Sequence, residues 1–112
     1  MKIVELKKDS VYIVCLTGKL DATTSPEFRE KLMSVVSQGD RYLLIDCSDL
    51  EYISSAGLRV FFEVAYKIDE LSGKIVCCSL NSNVRKVFDM VELSSEIPVF
   101  STQEEAFQEA KG

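Results

Sequence analysis

Apolar and polar positions change period several times along the chain, and each change marks an element. Two short runs rich in Val, Ile and Leu open it, Lys2 to Leu6 and Val11 to Thr17, separated by the polar stretch Lys7-Lys8-Asp9-Ser10. The pattern predicts two strands joined as a hairpin. After Gly18-Lys19-Leu20-Asp21 the period lengthens, and Phe28, Leu32, Val35 and Val36 fall on one face of a helix. Thr24 and Glu27 have the spacing of a capping box at its start. Pro26 lies in the first turn, where its missing N–H does no harm, and Gly39 closes the helix.

Tyr42 to Cys47 is nearly continuous in apolar residues, as expected of a strand covered on both faces, which predicts a central place in a sheet. A short polar link follows, and then the pair Ser54-Ser55 opens a second helix. Leu58, Phe61, Phe62, Ala65 and Ile68 form its wide apolar stripe, and Gly73 suits its C-terminal stop. Lys74 to Ser79 reads as another short buried strand, and strand, helix and strand of this length imply a right-handed parallel crossover. Asn81 or Ser82 begins a helix bearing Val84, Val87, Phe88 and Val91. Pro98 confines the extended piece Ile97-Pro98-Val99-Phe100 to a sheet edge. A last helix starts at Thr102, with Glu105 as its capping partner, and buries Ala106, Phe107 and Ala110. The order ββαβαβαβα predicts an α/β sandwich with a mixed β-sheet.

Composition narrows what such a fold does. A length of 112 residues fits one domain, 1–112, and a hydrophobic content of 46% supplies its core. The net charge of −5 speaks against a nucleic-acid partner, which calls for a basic patch. No apolar run approaches the roughly 20 residues needed to cross a bilayer. The start Met1-Lys2-Ile3-Val4-Glu5 lacks the apolar region of a signal peptide, so a soluble, cytoplasmic protein with no membrane partner is expected. Cys15, Cys47, Cys77 and Cys78 sit in apolar runs and read as buried, reduced thiols. With no histidine and no Cys-x-x-Cys, neither a zinc site nor a Ser-His-Asp arrangement is expected. Nor does the chain carry a P-loop or a G-x-G-x-x-G run. The expectation is a protein that is not an enzyme and needs no metal or cofactor.

The candidate chemistry lies in the serine pair. The first turn of a helix carries unsatisfied backbone N–H groups and the positive end of the macrodipole, so a phosphate attached there is held rather than repelled. Ordinary capping accounts for one of the two hydroxyls. Glycine inside a helix costs about 1 kcal/mol against alanine, so Gly57 implies that a docking partner or the neighbouring loop approaches the backbone closely. Asp21 and Asp46 each follow a predicted strand. They either support the serine loop or satisfy backbone N–H groups at a turn.

The run Asp46-Cys47-Ser48-Asp49-Leu50-Glu51-Tyr52-Ile53-Ser54-Ser55-Ala56-Gly57-Leu58 resembles the signature of the STAS domain, best known in anti-sigma factor antagonists. Its usual form is a strand, Asp or Asn, a polar link, an aromatic or Met, then Asp-Ser-(Ser/Thr/Ala)-Gly-Leu. Leu16-Thr17-Gly18-Lys19-Leu20-Asp21 is similar to the family run that closes the second strand, and Val84-Arg85-Lys86-Val87-Phe88 to the helix after the fourth. The resemblance covers almost the whole chain and implies a STAS-type sandwich. It assigns Ser55 as phosphoacceptor, with Ser54 as second choice. Ser54 stands where the family usually has Asp. Asp21, Asp46 and Gly57 are implied to support the phosphosite, and Ser54, Ala56, Leu58 and Arg59 to meet the partner. The implied function is partner switching. The unphosphorylated form binds an anti-sigma factor that is also a serine protein kinase, phosphorylation ends the complex, and a PP2C-type phosphatase resets it. A monomer or weak dimer is expected. The alternative is a STAS adaptor in a transport or signalling assembly.

Overall fold

The computed structural model of the protein describes residues 1–111. Along the chain run β1 (Lys2–Lys8), β2 (Val11–Leu20), α1 (Ser25–Ser37), β3 (Tyr42–Ile53), α2 (Ser55–Glu70), β4 (Lys74–Cys78), α3 (Ser82–Met90), β5 (Val99–Phe100) and α4 (Gln103–Lys111). A 3-10 turn at Leu93–Ser95 comes after α3. The strands form one mixed sheet in the order β1-β2-β3-β4-β5. The hairpin partner β1 runs antiparallel to β2, and the other three pairings are parallel. β3 is central and β5 is at an edge, as the apolar run and Pro98 predict.

Alternation along the strands divides the core in two. Val14, Leu16, Leu43, Ile45 and Cys77 face a larger core shared with α1, α2 and α3, whereas Val11, Ile13, Leu44, Val76 and Cys78 face a smaller one covered by α4. Three buried phenylalanines, one from each of α1, α2 and α3, tie the larger layer together. Phe61 lies 5.3 Å from Phe28 and 5.3 Å from Phe88, ring centre to ring centre, in tilted and edge-on arrangements.

β3 is longer than the sequence pattern suggests. The stretch expected to be a polar link, Ser48 to Tyr52, is strand that stays paired with β2 up to Leu20 opposite Ile53. Between the Cys15–Asp46 and Thr17–Asp49 pairs, and again between Gly18–Leu50 and Lys19–Tyr52, β3 carries one more residue than β2. These bulges change the inward period from two to three, so that Cys47, Leu50 and Ile53 all reach the larger core. A strand whose inward positions come every third residue looks like a link when read for alternation. β4 pairs only with Tyr42 to Asp46, so the far half of β3 projects beyond it beside β2 alone.

Several local expectations are corrected. The Thr24–Glu27 capping box does not form, because the Thr24 hydroxyl is held 2.8 Å from the Lys19 carbonyl and caps nothing in α1. Phe62 is outside the buried stripe of α2, which is completed by Val60 and Val64. Val91 lies past the end of α3 and is exposed, and Cys15 is only half-buried, packed against the smaller core. After α2 the left-handed residue is Ser72, not Gly73. Gly73 is needed for space, since a Cβ there would lie 2.2 Å from the Arg41 carbonyl oxygen.

Candidate functional site

The ends of β2 and β3 lie side by side, and the residues just past each end make the site. The Ser54 N–H donates to the Leu20 carbonyl at 2.9 Å, which brings the Asp21 turn beside the start of α2. Ser54 is extended, with φ −97° and ψ 175°, and its hydroxyl oxygen accepts the Gly57 N–H at 3.4 Å. It is therefore the N-cap. Ser55 is the first helical residue, is exposed, and its hydroxyl has no hydrogen bond among the described residues. The geometry of a helix start leaves the N–H groups of Ser55 and Ala56 without intrahelical acceptors. The two hydroxyls thus divide: one closes the helix, and the other is presented to solvent at its positive end.

Gly57 sets the height of this platform. A Cβ there would lie 2.9 Å from Ile53 Cγ1 and 2.9 Å from Leu20 Cγ and Cδ2. The close approach inferred from this glycine is made by the protein's own strand ends, where Leu20 and Ile53 are paired and buried, rather than by a partner.

Asp21 comes directly after β2. Its Oδ1 accepts the Thr23 and Thr24 N–H groups at 3.0 and 3.1 Å, and its own N–H donates to Thr24 Oγ1 at 2.9 Å. The Thr24 N–H, foremost among these contacts, holds the Asp21 carboxyl below the usual carboxylate range. Oδ2 has no hydrogen-bond partner among the described residues. One oxygen shapes the turn and the other is left without a hydrogen bond, on a residue that the Ser54–Leu20 backbone bond brings near the start of α2.

The remaining expected residues separate. Asp46 is not brought to the serines: it lies within β3 on the α4 side of the sheet, opposite to α2. There Oδ1 accepts the Ser48 N–H at 2.9 Å and Oδ2 accepts Gln103 Nε2 at 2.7 Å. A residue on that face points away from the helix it was expected to support, so its role is to dock α4. Leu58 is turned into the larger core and is not part of the exposed surface. Ala56 is half-buried and Arg59 is exposed, without an ion-pair partner among the described residues. Sequence reading missed the ion pair of Arg29 with Glu63, which joins α1 to α2 with Nη2 to Oε2 at 2.6 Å. Nothing in the local spacing of two residues on different helices announces it. None of the described helices is long and apolar enough to cross a membrane.

A bulged β3, a capped α2 and an exposed serine at its first position reproduce the signature run in three dimensions. The STAS domain family model matches residues 2–106. The chain belongs to the STAS domain family. It is similar to BtrV of Bordetella bronchiseptica, with 36% identity over 106 residues that cover 95% of this chain and 91% of that protein. An anti-sigma F factor antagonist of Paenibacillus polymyxa is 26% identical over 100 residues, covering 88% of this chain and 86% of that one. Among solved structures, an anti-sigma factor antagonist from Mycobacterium paratuberculosis superposes with a TM-score of 0.91 at 22% identity, over 99% of this chain and 94% of that one. That likeness establishes the STAS fold, with the element order read from the sequence.

Proposed function

We propose that this STAS domain, residues 1–112, is an anti-sigma factor antagonist switched at Ser55. The observation that carries the reading is the division between the serines. Ser54 caps α2, which leaves the Ser55 hydroxyl exposed and unbonded at the helix start. The names of its relatives supply the class of partner, an anti-sigma factor. In this reading the unphosphorylated protein binds an anti-sigma factor that is also a serine protein kinase, and so releases a sigma factor. The protein itself catalyses nothing and works in the cytoplasm. Phosphorylation adds a charge of about −1.5 to −2 and three acceptor oxygens, whose bulk and desolvation oppose rebinding. The backbone N–H groups at the start of α2 let the free domain carry that group without unfolding. A PP2C-type phosphatase restores the hydroxyl. Asp21 supports the acceptor through its free Oδ2, and Ser54, Ala56 and Arg59 border the contact.

The test is titration calorimetry of the cognate anti-sigma factor against wild type, Ser55→Ala and Ser55→Asp. The expected outcome is tight binding by the first two and weakened binding by Ser55→Asp at an unchanged melting temperature. Equal affinity of Ser55→Ala and Ser55→Asp refutes the electrostatic switch.

A further inference from the structure

The exposed face of α2 continues beyond the serine. Ser55, Arg59, Phe62 and Tyr66 are separated by four, three and four residues, which aligns them in one stripe along the helix. At about 1.5 Å per residue, the two aromatics lie roughly 10 and 16 Å along the axis from Ser55. Tyr66 is 71% and Phe62 37% exposed. Beside them is a groove lined by Phe62, Ala65, Tyr66, Asp69 and Glu96. It adjoins a second hollow that shares Ala65, Asp69 and Glu96 and adds Glu109.

The groove brings the apolar side chains Phe62, Ala65 and Tyr66 together with the carboxylates Asp69 and Glu96. Among the described residues Asp69, Glu96 and Glu109 have no ion-pair partner, whereas Glu63, Glu70 and Asp89 on α2 and α3 are paired with Arg29, Lys67 and Arg85. Lys74, which lines the second hollow, donates to the Glu109 carbonyl at 3.1 Å. Two exposed aromatic side chains that share a groove with unpaired carboxylates complement an Arg or Lys side chain. Such a cation can meet both a ring and a carboxylate there, with its stem against the apolar side chains.

We propose that this groove docks a basic segment of the partner protein, with an Arg or Lys side chain seated between Tyr66 and Phe62 on one side and Asp69 and Glu96 on the other. The proposal rests on the reading of α2 as the helix that faces the partner, because the stripe runs unbroken from Ser55 into the groove. It adds an anchor whose aromatics lie about two to three helical turns along α2 from the switch residue. That anchor selects the partner by charge and stays available whether or not Ser55 carries phosphate.

The test titrates the full-length, isotopically labelled protein with a short amphipathic leucine–arginine peptide and with its leucine–glutamate counterpart, monitoring amide shifts. Only the arginine peptide is expected to bind, with shifts confined to residues 62–69 and 94–98. Its affinity is expected to fall roughly tenfold or more in Phe62→Ala/Tyr66→Ala and in Asp69→Asn/Glu96→Gln, as for removal of an interface anchor. Shifts scattered over the acidic surface, or unchanged affinity in both variants, overturn the proposal. Self-association without peptide that is abolished in Phe62→Ala/Tyr66→Ala also overturns it, in favour of a second copy. With the cognate anti-sigma factor, equal binding by wild type and Phe62→Ala/Tyr66→Ala overturns the anchor alone. No binding by wild type refutes the anti-sigma reading, and the peptide titration then decides the groove by itself.

Discussion

Replacing each serine of the pair by alanine separates capping from chemistry. Ser54→Ala removes the oxygen that receives the Gly57 N–H at 3.4 Å. A serine N-cap contributes about 0.5–2 kcal/mol, and so long a hydrogen bond places this one near 0.5–1 kcal/mol. Unfolding entropy of about 2.1 cal/mol/K per residue gives roughly 240 cal/mol/K for this chain, so the melting temperature falls by about 2–4 °C. Ser55→Ala behaves differently. The lost hydroxyl is exposed and unbonded, alanine is the better helix former, and the change in stability stays within about 0.5 kcal/mol. Phosphorylation reverses the order: Ser54→Ala is still modified by the cognate kinase and ATP, and Ser55→Ala is not. Intact-mass spectrometry and thermal melts on the same preparations read both effects. Phosphate appearing on Ser55→Ala, or a Ser54→Ala melt that matches wild type, refutes the division of labour between the two hydroxyls.

Four further outcomes are expected. Asp21→Asn slows phosphorylation more than it lowers the melting temperature, since asparagine keeps an acceptor for the turn and loses the charge beside the serines. Because the folded-state pKa of Asp21 is lowered, its stabilisation is present above the ordinary carboxylate value of about 4 and is lost as pH falls through the lowered value. Acid titration monitored by circular dichroism therefore shows a flatter acid limb for Asp21→Asn, and identical limbs refute the assignment. Gly57→Val forces its Cβ and two methyls against Leu20 and Ile53 and costs about 1–3 kcal/mol, read as a melting temperature lower by roughly 4–12 °C; an unchanged melt shows that the strand ends give way. In native protein at mildly alkaline pH a thiol reagent labels Cys15 first, because Cys15 is half-buried whereas Cys47, Cys77 and Cys78 are buried; burial raises the Cys15 thiol as well, but it pushes Cys78 up to about 12 and raises Cys77 well above its ordinary value. Early labelling of Cys77 or Cys78 contradicts the packing.

The element order and the serine platform were legible in the sequence because each rests on a local signal. Strand and helix periods gave the elements, Pro98 gave the edge, and Ser54-Ser55 before an apolar stripe gave the helix start. What escaped depends on register. The bulges of β3 replace a period of two by a period of three, which hid six residues of strand, Ser48 to Ile53, whereas Asp46 precedes them and follows the plain alternation with Leu44 onto the far face of the sheet. Phe62 has the hydrophobicity of a core residue but lies on the solvent side of α2, and Leu58, expected at the partner contact, fills the core. Gly57 signalled a close approach correctly. Only the pairing of Leu20 with Ile53 shows which atoms make it.

The isolation of α4 on its own side of the sheet has a consequence for how the molecule opens. Ala106, Phe107 and Ala110 pack on Val11, Ile13, Leu44 and Val76, and the Asp46–Gln103 hydrogen bond fastens the start of the helix. Releasing α4 disturbs none of the contacts among Phe28, Phe61 and Phe88 or between Gly57 and the ends of β2 and β3. Amide exchange in α4 can therefore proceed through a local excursion, while the hydrogen-bonded amides of α2 beyond its first turn exchange only when the larger core comes apart. Fluctuation of α4 is thereby kept out of the serine platform at the start of α2.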